Sequence, residues 1–252
     1  MSPGDVLNVR GGTRIDPFTA GGVIQPILSG SKSNPTKILS DDKSHIDCMD
    51  YMSDAFRFVS SENVVVQGFS LERCGHGFIL LSSESVNVLN NEVFDCDHSG
   101  ISLIESKDCL IEKNIVSDIH GVAHIFLDES SNNNVTKNFA GGGDSDGIEV
   151  RTSDYNYIVD NDVEETSYGI SVKMGSERNI LMQNRVMQAS LGLWLGDAED
   201  TIVENNIICY GTGESEDIAV TTSYSNKGDH NTCDSTYHWN DDGTQNCTYP
   251  CD

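Results

Sequence analysis

Two basic residues are placed where they could act together on an acidic sugar. Arg151 lies two residues after Glu149 in the segment DGIEVR, and Lys173 follows 22 residues after Arg151 in the segment ISVKMG. A cation can neutralise the carboxylate of a uronate, and a base can then remove the neighbouring proton. Lys173 and Arg151 are therefore candidate catalytic residues for an acidic sugar chain.

Acidic and aromatic residues recur near these two segments. Carboxylate oxygens are the ligands that Ca²⁺ prefers, and the predicted calcium ligands are Asp128, Asp146 and Glu149. The residues predicted to contact the substrate are Trp194, Phe126 and Asp197. The alternative interpretation is a solvated ladder of ion pairs, which contributes little to stability.

An internal repeat places these residues on successive turns of one structure. An asparagine returns at intervals of 22 to 25 residues, at Asn91, Asn114, Asn138, Asn161, Asn184, Asn206 and Asn231. A second row, mostly glycine, precedes short alternating apolar strands such as Ile148-Glu149-Val150. Units this short cannot bury an apolar face alone, so neighbouring units must stack.

The repeat predicts an all-β fold, a single-stranded right-handed parallel β-helix with about 23 residues per coil. We assign residues 1–232 to this solenoid and residues 233–252 to a cysteine-rich C-terminal cap. Each repeated asparagine is expected to adopt a left-handed backbone conformation and to hydrogen-bond to the asparagine of the next coil. These asparagines are interpreted as architecture, not as a site.

Equivalent residues of successive coils should lie about 4.8 Å apart. One outward column then contains Ile79, Ser102, Phe126, Glu149, Ser171, Trp194 and Ala219. The next contains Leu81, Ile104, Asp128, Arg151, Lys173, Gly196 and Thr221. Arg151 and Lys173 become neighbours, and adjacent like charges destabilise a sheet unless carboxylates such as Asp128, Glu149 and Asp197 compensate.

The opening segments PGDVLNVRGGTR, residues 3–14, and VIQPILSGSKSNPTKI, residues 23–38, resemble the first coil of the family 6 polysaccharide lyases, which include alginate lyases and chondroitinase B. That resemblance implies a calcium-dependent lyase that cleaves a uronic-acid polysaccharide by β-elimination, with a catalytic Lys on one coil and a catalytic Arg on the next. It implies Lys173 as the base and Arg151 as the group that holds the uronate carboxylate. Here Lys173 falls on the family's Arg position, and Arg151 or Thr152 falls near its Lys position. The basic pair is thus swapped and the glutamate motif is shortened.

Other β-helix proteins offer further resemblances. Mannuronan epimerases share the predicted fold, but their Asp-Pro-His signature is absent from this sequence. The chain is also similar to bacterial and archaeal surface proteins of the carbohydrate-binding β-helix type, among them relatives of the copper protein of nitrous-oxide reductase maturation. This second resemblance implies a non-catalytic scaffold.

Eight cysteines indicate an oxidising compartment. A disulfide-linked cap is predicted from Cys233, Cys247 and Cys251. Two of these can pair with each other, and Cys209 is the predicted partner of the third. A zinc site of Cys233, His238, Cys247 and Cys251 is the less favoured alternative, because its spacing matches no standard zinc module.

The body of the repeat also contains two Cys-x-His pairs, one coil apart. A disulfide between Cys74 and Cys96 is favoured over a metal site that these cysteines would form with His76 and His98. The remaining two cysteines, Cys48 and Cys109, are expected to be buried or unpaired.

Charge and hydropathy restrict the partners. Forty acidic residues against 15 basic ones give a net charge of −25, which should repel nucleic acid. The sequence contains no apolar run long enough for membrane insertion. An open first coil, without a capping segment before it, is a predicted surface for self-association.

These observations predict a secreted polysaccharide-interacting protein located outside the cell or on its surface. A uronate lyase is the first interpretation. The alternative is a non-catalytic structural or carbohydrate-binding module that self-associates.

Overall fold

A computed structural model describes residues 2–10, 29–49, 51–209 and 216–251, and every regular element within them is a β-strand. The strands form three parallel sheets of ten, nine and eight strands. Each coil contributes one strand to each sheet, giving about eight turns of about 23 residues. The predicted all-β parallel solenoid is confirmed.

The first sheet contains Val6–Val9, Thr36–Ser40, Glu62–Gln67, Glu84–Leu89, Leu110–Glu112, Asn134–Thr136, Tyr157–Val159, Ile180–Met182, Ile202–Glu204 and Lys227–Asp229. The second sheet contains Phe56–Val59, His76–Leu81, Ser99–Ile104, Ala123–Asp128, Asp146–Arg151, Tyr168–Glu177, Leu191–Glu199, Ile218–Thr221 and Thr236–Tyr237. The third sheet contains His45–Asp47, Ser70–Glu72, Glu92–Cys96, Ile115–Ile119, Phe139–Gly141, Asp162–Glu164, Arg185–Met187 and Ile207–Cys209.

The core runs along the solenoid axis and consists of inward side chains from all three sheets. Val, Ile and Leu suit short strands of this kind, because one face of each strand is buried and both of its edges are hydrogen-bonded to neighbouring strands. The aromatic part of the core lies near the N-terminal end, where Phe56 stacks on Phe78 with ring centroids 5.1 Å apart. Further along the axis the core is aliphatic, as at Ile148 and Val150.

Asparagine side chains form the predicted ladder inside the coil. The Asn114 side-chain amide donates to Asn138 Oδ1 at 3.0 Å, and that of Asn138 donates to Asn161 Oδ1 at 3.0 Å. The left-handed conformation was predicted for the wrong residue. It occurs one position earlier, at Asn90, Lys113, Lys137, Asp160, Gln183, Asn205 and His230. Because the chain turns at that preceding residue, each ladder side chain points inward and can bond along the axis.

Two further polar rows, which the sequence analysis missed, stack in the same way. A second asparagine row contains Asn133, Asn156 and Asn179, and a serine row contains Ser83, Ser106, Ser130, Ser153 and Ser176. Each row hydrogen-bonds side chain to backbone from one coil to the next. Buried polar groups that are paired in this way fix the register of the coils.

The predicted Cys74–Cys96 disulfide is wrong, because Cys74 is bonded to Cys48. Cys48, Cys74 and Cys96 follow one another on successive coils, so Cys74 has a possible partner on each side and can bond to one of them. The Cα atoms of Cys48 and Cys74 are 4.9 Å apart, and Cys96 remains a buried free thiol. This disulfide also removes Cys74 from the alternative Cys–His metal site.

The C-terminal disulfides agree with the prediction. Cys209 is bonded to Cys251 and Cys233 to Cys247, so the zinc alternative for these cysteines is wrong. The carboxylate of Asp241 ends the asparagine ladder, because it accepts hydrogen bonds from Asn231 Nδ2 at 2.7 Å and from Asn231 N at 2.9 Å.

At the N-terminal end, the strand Val6–Val9 pairs with Thr36–Ser40 and has no second partner among the described residues. Val6 and Leu7 are exposed there. Parts of the two segments that carry the lyase resemblance, residues 11–14 and 23–28, lie outside the described residues. Self-association through this end stays a prediction. No helix that could span a membrane is found in the described part of the chain.

Candidate functional site

The outer face of the second sheet carries the residues that the sequence analysis selected. Asp128 pairs in register with Arg151, and Arg151 pairs with Lys173. In the neighbouring column, Glu149 lies between Phe126 on one side and Ser171 on the other, and Ser171 is followed by Trp194. Both predicted columns are therefore confirmed.

Lys173 lies where its strand bends. The two residues after it, Met174 and Gly175, have φ values of 59° and 75°, and the pairing with the next strand shifts between Lys173 and Ser176. A bulge of this kind redirects the side chains beside it. The strand therefore changes direction immediately after the lysine.

Lys173 contacts two carboxylates of the preceding coil. Its Nζ is 3.1 Å from Glu149 Oε1 and 3.8 Å from Asp146 Oδ2. The Glu149 side chain is 4% exposed, that of Asp146 10% and that of Lys173 16%. Three charged groups thus share a site from which most water is excluded.

The two carboxylates have different surroundings. Burial raises the pKa of Asp146 to about 6, Lys173 opposes that shift, and the nearby charge of Glu149 adds to it. Asp146 accepts weak hydrogen bonds from Ser171 Oγ at 3.3 Å and from Tyr168 N at 3.4 Å. Asp146 can therefore gain or lose a proton near pH 6.

An aromatic pair borders the same site. Tyr168 and Trp194 stack with ring centroids 5.3 Å apart, and Lys173 Nζ lies 5.4 Å from the Trp194 centroid. The Trp194 indole N–H donates to Thr221 Oγ1 at 2.9 Å, which fixes the ring. Gly196 is required beneath the ring, since a Cβ there would lie 2.6 Å from it. We call Lys173, Asp146, Glu149, Tyr168 and Trp194 the Lys173 cluster.

Arg151 belongs to a second group. Its guanidinium donates to both carboxylate oxygens of Asp128, at 3.1 and 2.8 Å, and lies 4.7 Å from the centroid of Phe126. The Arg151 side chain is 31% exposed, about twice the fraction for Lys173. We call Arg151, Asp128 and Phe126 the Arg151 cluster.

The long basic side chains fold back over the column beside them. Arg151 covers Phe126, and Lys173 covers Glu149, which explains why these outward residues are nearly buried. Asp197 lies apart, exposed at a left-handed position within the strand Leu191–Glu199.

The predicted calcium ligands are divided between the two clusters. Asp128 binds Arg151, whereas Asp146 and Glu149 contact Lys173. Across the described residues, no three His, Cys, Asp or Glu side chains converge in a geometry suited to a metal ion. Calcium stays a prediction.

The sequence analysis missed Tyr168, Gly196 and His124. The sequence does contain a signal for Tyr168. It directly precedes Gly169 of the glycine row, just as Asp146 directly precedes Gly147 one coil earlier. His124 replaces a glycine in that row. Its ring nitrogens lie 2.9 Å from the carbonyl oxygen of Asp146 and 2.8 Å from that of Gly142. Burial lowers the pKa of His124, although these carbonyl contacts oppose the shift.

Solved structures similar to this chain share the parallel β-helix. The periplasmic alginate epimerase AlgG matches 93% of the chain with a TM-score of 0.74 and 16% identity, and the chain spans 61% of its length. The A-module of the mannuronan C-5 epimerase AlgE6 from Azotobacter vinelandii has a TM-score of 0.59 and 12% identity, over 100% of this chain and 90% of its own. Pectate lyase Pel9A has a TM-score of 0.64 and 14% identity, and the match covers 99% of this chain and 72% of the lyase.

At these identities the likeness establishes the fold, a right-handed parallel β-helix as predicted. The tailspike protein of E. coli bacteriophage HK620, determined in complex with a hexasaccharide, has the same fold, with a TM-score of 0.67 and 12% identity. The match covers 90% of this chain and 50% of the tailspike. No curated protein sequence matches the chain significantly.

A family profile described as periplasmic copper-binding protein (NosD) matches residues 27–188. Copper in proteins is held by groups of His, Cys and Met ligands. Here six cysteines form disulfides, and burial raises the pKa of the free thiols of Cys96 and Cys109 to about 12. No converging group of three metal-binding His, Cys, Asp or Glu side chains occurs among the described residues, so they do not fit a copper centre.

The profile match nevertheless covers well over half of the 252 residues. The chain belongs to the NosD family.

Proposed function

We propose that this chain binds a polysaccharide across the coils of the second sheet, with the Lys173 cluster at the centre of the binding face. The observation that carries this proposal is the stacked Tyr168–Trp194 pair beside a lysine held by two nearly buried carboxylates. Sugar rings bind through an apolar face that packs on aromatic rings and through hydroxyls that pair with fixed polar groups. The Lys173 cluster offers both.

The energetics of the cluster also favour a functional role. Taking charges out of water costs free energy that their mutual attraction only partly offsets. Hydrophobic side chains in place of all three charged groups would pack against one another without this cost. A desolvated charged group with a shifted pKa, such as Asp146, is a frequent feature of functional sites.

Similar structures support the choice of ligand. One is an alginate epimerase, another is a pectate lyase, and a third was determined in complex with a hexasaccharide. A polysaccharide that lies across the coils meets equivalent positions about every 4.8 Å. It would therefore reach the Lys173 and Arg151 clusters together, because these occupy neighbouring coils.

A second candidate function is cleavage of a uronic-acid polysaccharide by β-elimination. The observation that favours it is the contact of Lys173 with Asp146, whose pKa of about 6 suits proton transfer near neutral pH. Lys173 would first pass its own proton to Asp146, and the neutral amine would then take the proton from the sugar while the protonated Asp146 gives its proton to the leaving oxygen. Arg151 would hold the uronate carboxylate in competition with Asp128. Calcium near Asp128, Asp146 and Glu149 would strengthen the hold on the carboxylate.

The three disulfides support a location outside the cytoplasm, where thiols oxidise. The family description and the periplasmic epimerase point the same way. We further propose that the chain is secreted to the cell surface or out of the cell. Detection of the chain in a reducing compartment, with all eight cysteines free, would contradict it.

Affinity electrophoresis in gels containing alginate, pectate or chondroitin sulfate tests binding. Trp194→Ala should remove the retardation of the protein by the bound polymer. Tyr157→Ala, which truncates an exposed aromatic on the first sheet, is the matched control and should leave it unchanged. Equal retardation of wild type and Trp194→Ala would contradict the proposed binding face.

Ultraviolet absorbance of unsaturated uronates, with calcium or with a chelator, tests cleavage. Appearance of the product with wild type and its absence with Lys173→Ala would support the lyase. Binding without product would leave the carbohydrate-binding module as the function. Product formation that persists in Lys173→Ala would exclude Lys173 as the base.

A further inference from the structure

The outward column that contains Trp194 continues to the last strand of the second sheet. Trp194 pairs in register with Ala219, and Ala219 pairs with Tyr237 in the strand Thr236–Tyr237. Since neighbouring strands lie about 4.8 Å apart, the backbones at Trp194 and Tyr237 are about 10 Å from each other. Two aromatic side chains therefore occupy the same column, two coils apart.

Tyr237 is exposed, but its ring is held in place. It is 47% exposed, and its ring stacks on that of His238, with centroids 4.0 Å apart and an interplanar angle of 24°. Consecutive residues of a strand point to opposite faces, so these two rings meet because the chain turns at His238, where φ is 56°. Thr236 Oγ1 donates to the carbonyl oxygen of Trp239 at 2.9 Å and closes the turn. The histidine thus supports one side of the tyrosine ring, and the exposed part can receive a ligand.

Trp194 is arranged in a similar way and extends towards the same end of the solenoid. Its ring is backed by that of Tyr168, and its indole N–H donates at 2.9 Å to Thr221 Oγ1 on the next coil. Ala219, on that same coil, contributes a single methyl group to the column between the two aromatic positions. The column therefore presents two supported rings with a small residue between them.

An extended sugar chain fits this spacing. A sugar unit is about as long as one strand spacing, so a chain that crosses the strands places successive units at Trp194, Ala219 and Tyr237. The apolar faces of the outer two units can pack on the aromatic rings. The middle unit passes over the methyl group of Ala219.

Charge distinguishes the two ends of this path. Lys173 lies beside Trp194, whereas residues 216–251 contain six Asp or Glu and one Lys. A sugar carboxylate is therefore repelled near Tyr237. The sugar unit at Tyr237 is held by ring packing, not by attraction between charges.

We propose that Tyr237, supported by His238, is a second sugar subsite of the binding face, so that the bound chain runs from the Lys173 cluster towards the C-terminal cap. This inference rests on the proposed function and specifies its ligand more closely. The ligand is an extended polysaccharide of three or more units, with apolar ring faces presented at both aromatic positions. A shorter chain cannot reach both rings, so the affinity increases with chain length.

Titrations followed by NMR, which detects weak binding, test the proposal with dimers and hexamers of mannuronate, galacturonate and β-1,4-linked glucose. In at least one of the three series, wild type should bind the hexamer at least about tenfold more tightly than the dimer, which corresponds to about 1.4 kcal/mol. Tyr237→Ala should weaken binding of that hexamer about tenfold. It should leave binding of the dimer unchanged, because the dimer occupies the Lys173 cluster alone.

Two further variants locate the effect. Tyr237→Phe keeps the ring and should retain most of the affinity for the hexamer. Tyr249→Ala is the matched control, since Tyr249 is 49% exposed and also lies beside a histidine ring, that of His230 at 6.2 Å. Tyr249 pairs with Thr232 at the end of the third sheet, away from the proposed path, so the control should bind the hexamer as wild type does.

Each outcome separates the two proposals. Hexamer binding that Trp194→Ala abolishes but Tyr237→Ala leaves unchanged would overturn the second subsite and retain the binding face. An equal loss in Tyr237→Ala and Tyr249→Ala, or in Tyr237→Phe and Tyr237→Ala, would overturn the role of the Tyr237 ring. No binding of any of the six oligosaccharides would count against both proposals. Cooperative thermal unfolding of each variant, measured alongside, distinguishes a lost contact from a lost fold.

Discussion

The asparagine ladder inside the coil and the Lys173 cluster on its outer face both place polar groups away from water, but in opposite ways. In the ladder one residue type repeats, and each amide bonds to its copy on the next coil. In the Lys173 cluster neighbouring positions of the column hold different residue types, and Glu149 is followed by Ser171 and then Trp194. The buried groups of the cluster carry charge, and Asp146 has a shifted pKa.

This difference separates architecture from function within a repeat protein. A solenoid is held together by positions that every coil fills in the same way. A position where one coil departs from the repeat adds nothing to that stacking. The departures on the second sheet, including Lys173 and Trp194, are therefore where a site is to be sought.

The largest expected effect comes from breaking a ladder. Asn133→Ala leaves Cys109 N without its acceptor, and it removes the side-chain donor to Ser106 O at 3.1 Å and one of the two donors to Asn156 Oδ1, of which the backbone N–H of Asn133 remains. With about 1–3 kcal/mol for the buried group left unpaired and about 1 kcal/mol for each other lost bond, unfolding in urea should show a loss of about 4 kcal/mol. The adjacent, exposed Asn134 is a matched control. A similar loss in Asn134→Ala would show that the effect does not come from the ladder.

The next effect is the pH dependence that Asp146 introduces. Its pKa in the folded protein is raised from 3.8 to about 6, so the fold binds its proton more tightly than the unfolded chain does. The contribution of Asp146 is therefore most favourable below pH 4. It is lost as the pH rises through 6, by up to about 3 kcal/mol at 1.36 kcal/mol per unit.

Asp146→Asn tests this effect, because it keeps the shape and removes the titration. The unfolding free energy of the variant minus that of wild type should rise between pH 4 and pH 7. A difference that stays constant across this range would show that Asp146 is not the titrating group.

The ladder and the register were predictable because they repeat. Seven asparagines at near-constant spacing determine which residues become neighbours, so the pairing of Arg151 with Lys173 followed from the sequence. The disulfide of Cys74 did not, because each neighbouring coil offers a cysteine, Cys48 on one side and Cys96 on the other. Contacts within the Lys173 cluster were also hidden, since Lys173 reaches back to Glu149 and Asp146 through side-chain conformations that spacing does not specify.

A polar cavity between the turns that lead into the second sheet shows another limit of the sequence. Its lining residues Asp144, Ser167 and Ser190 follow one another at intervals of 23 residues, so the repeat places them on successive coils, but the spacing does not reveal that a space opens between the turns. Tyr168 is the opposite case, because the register of the glycine row would have placed it beside Asp146 and Leu191.

A smaller effect is expected when the lysine is removed. Lys173→Met leaves Glu149 and Asp146 without their cation, which for a fully buried pair costs about 3–5 kcal/mol. Here the loss should be about 2 kcal/mol, because the Lys173 side chain is 16% exposed and Asp146 can bind a proton in response. Since Lys173 lowers the pKa of Asp146, that pKa should rise further in the variant. An unchanged midpoint of urea unfolding at pH 7 would contradict this ion group.

The smallest effect separates the two neighbouring cations. Arg151→Met removes a bidentate pair with Asp128, but both side chains remain in contact with water, at 31% and 22% exposure. Exposed ion pairs contribute about 0–1 kcal/mol, and the methionine can still cover Phe126. The loss of unfolding free energy should therefore stay below about 1 kcal/mol and decrease further in high salt, which screens exposed charges. A loss as large as that of Lys173→Met would show that Arg151 and Lys173 are parts of one buried network, and the distinction between the two clusters would no longer hold.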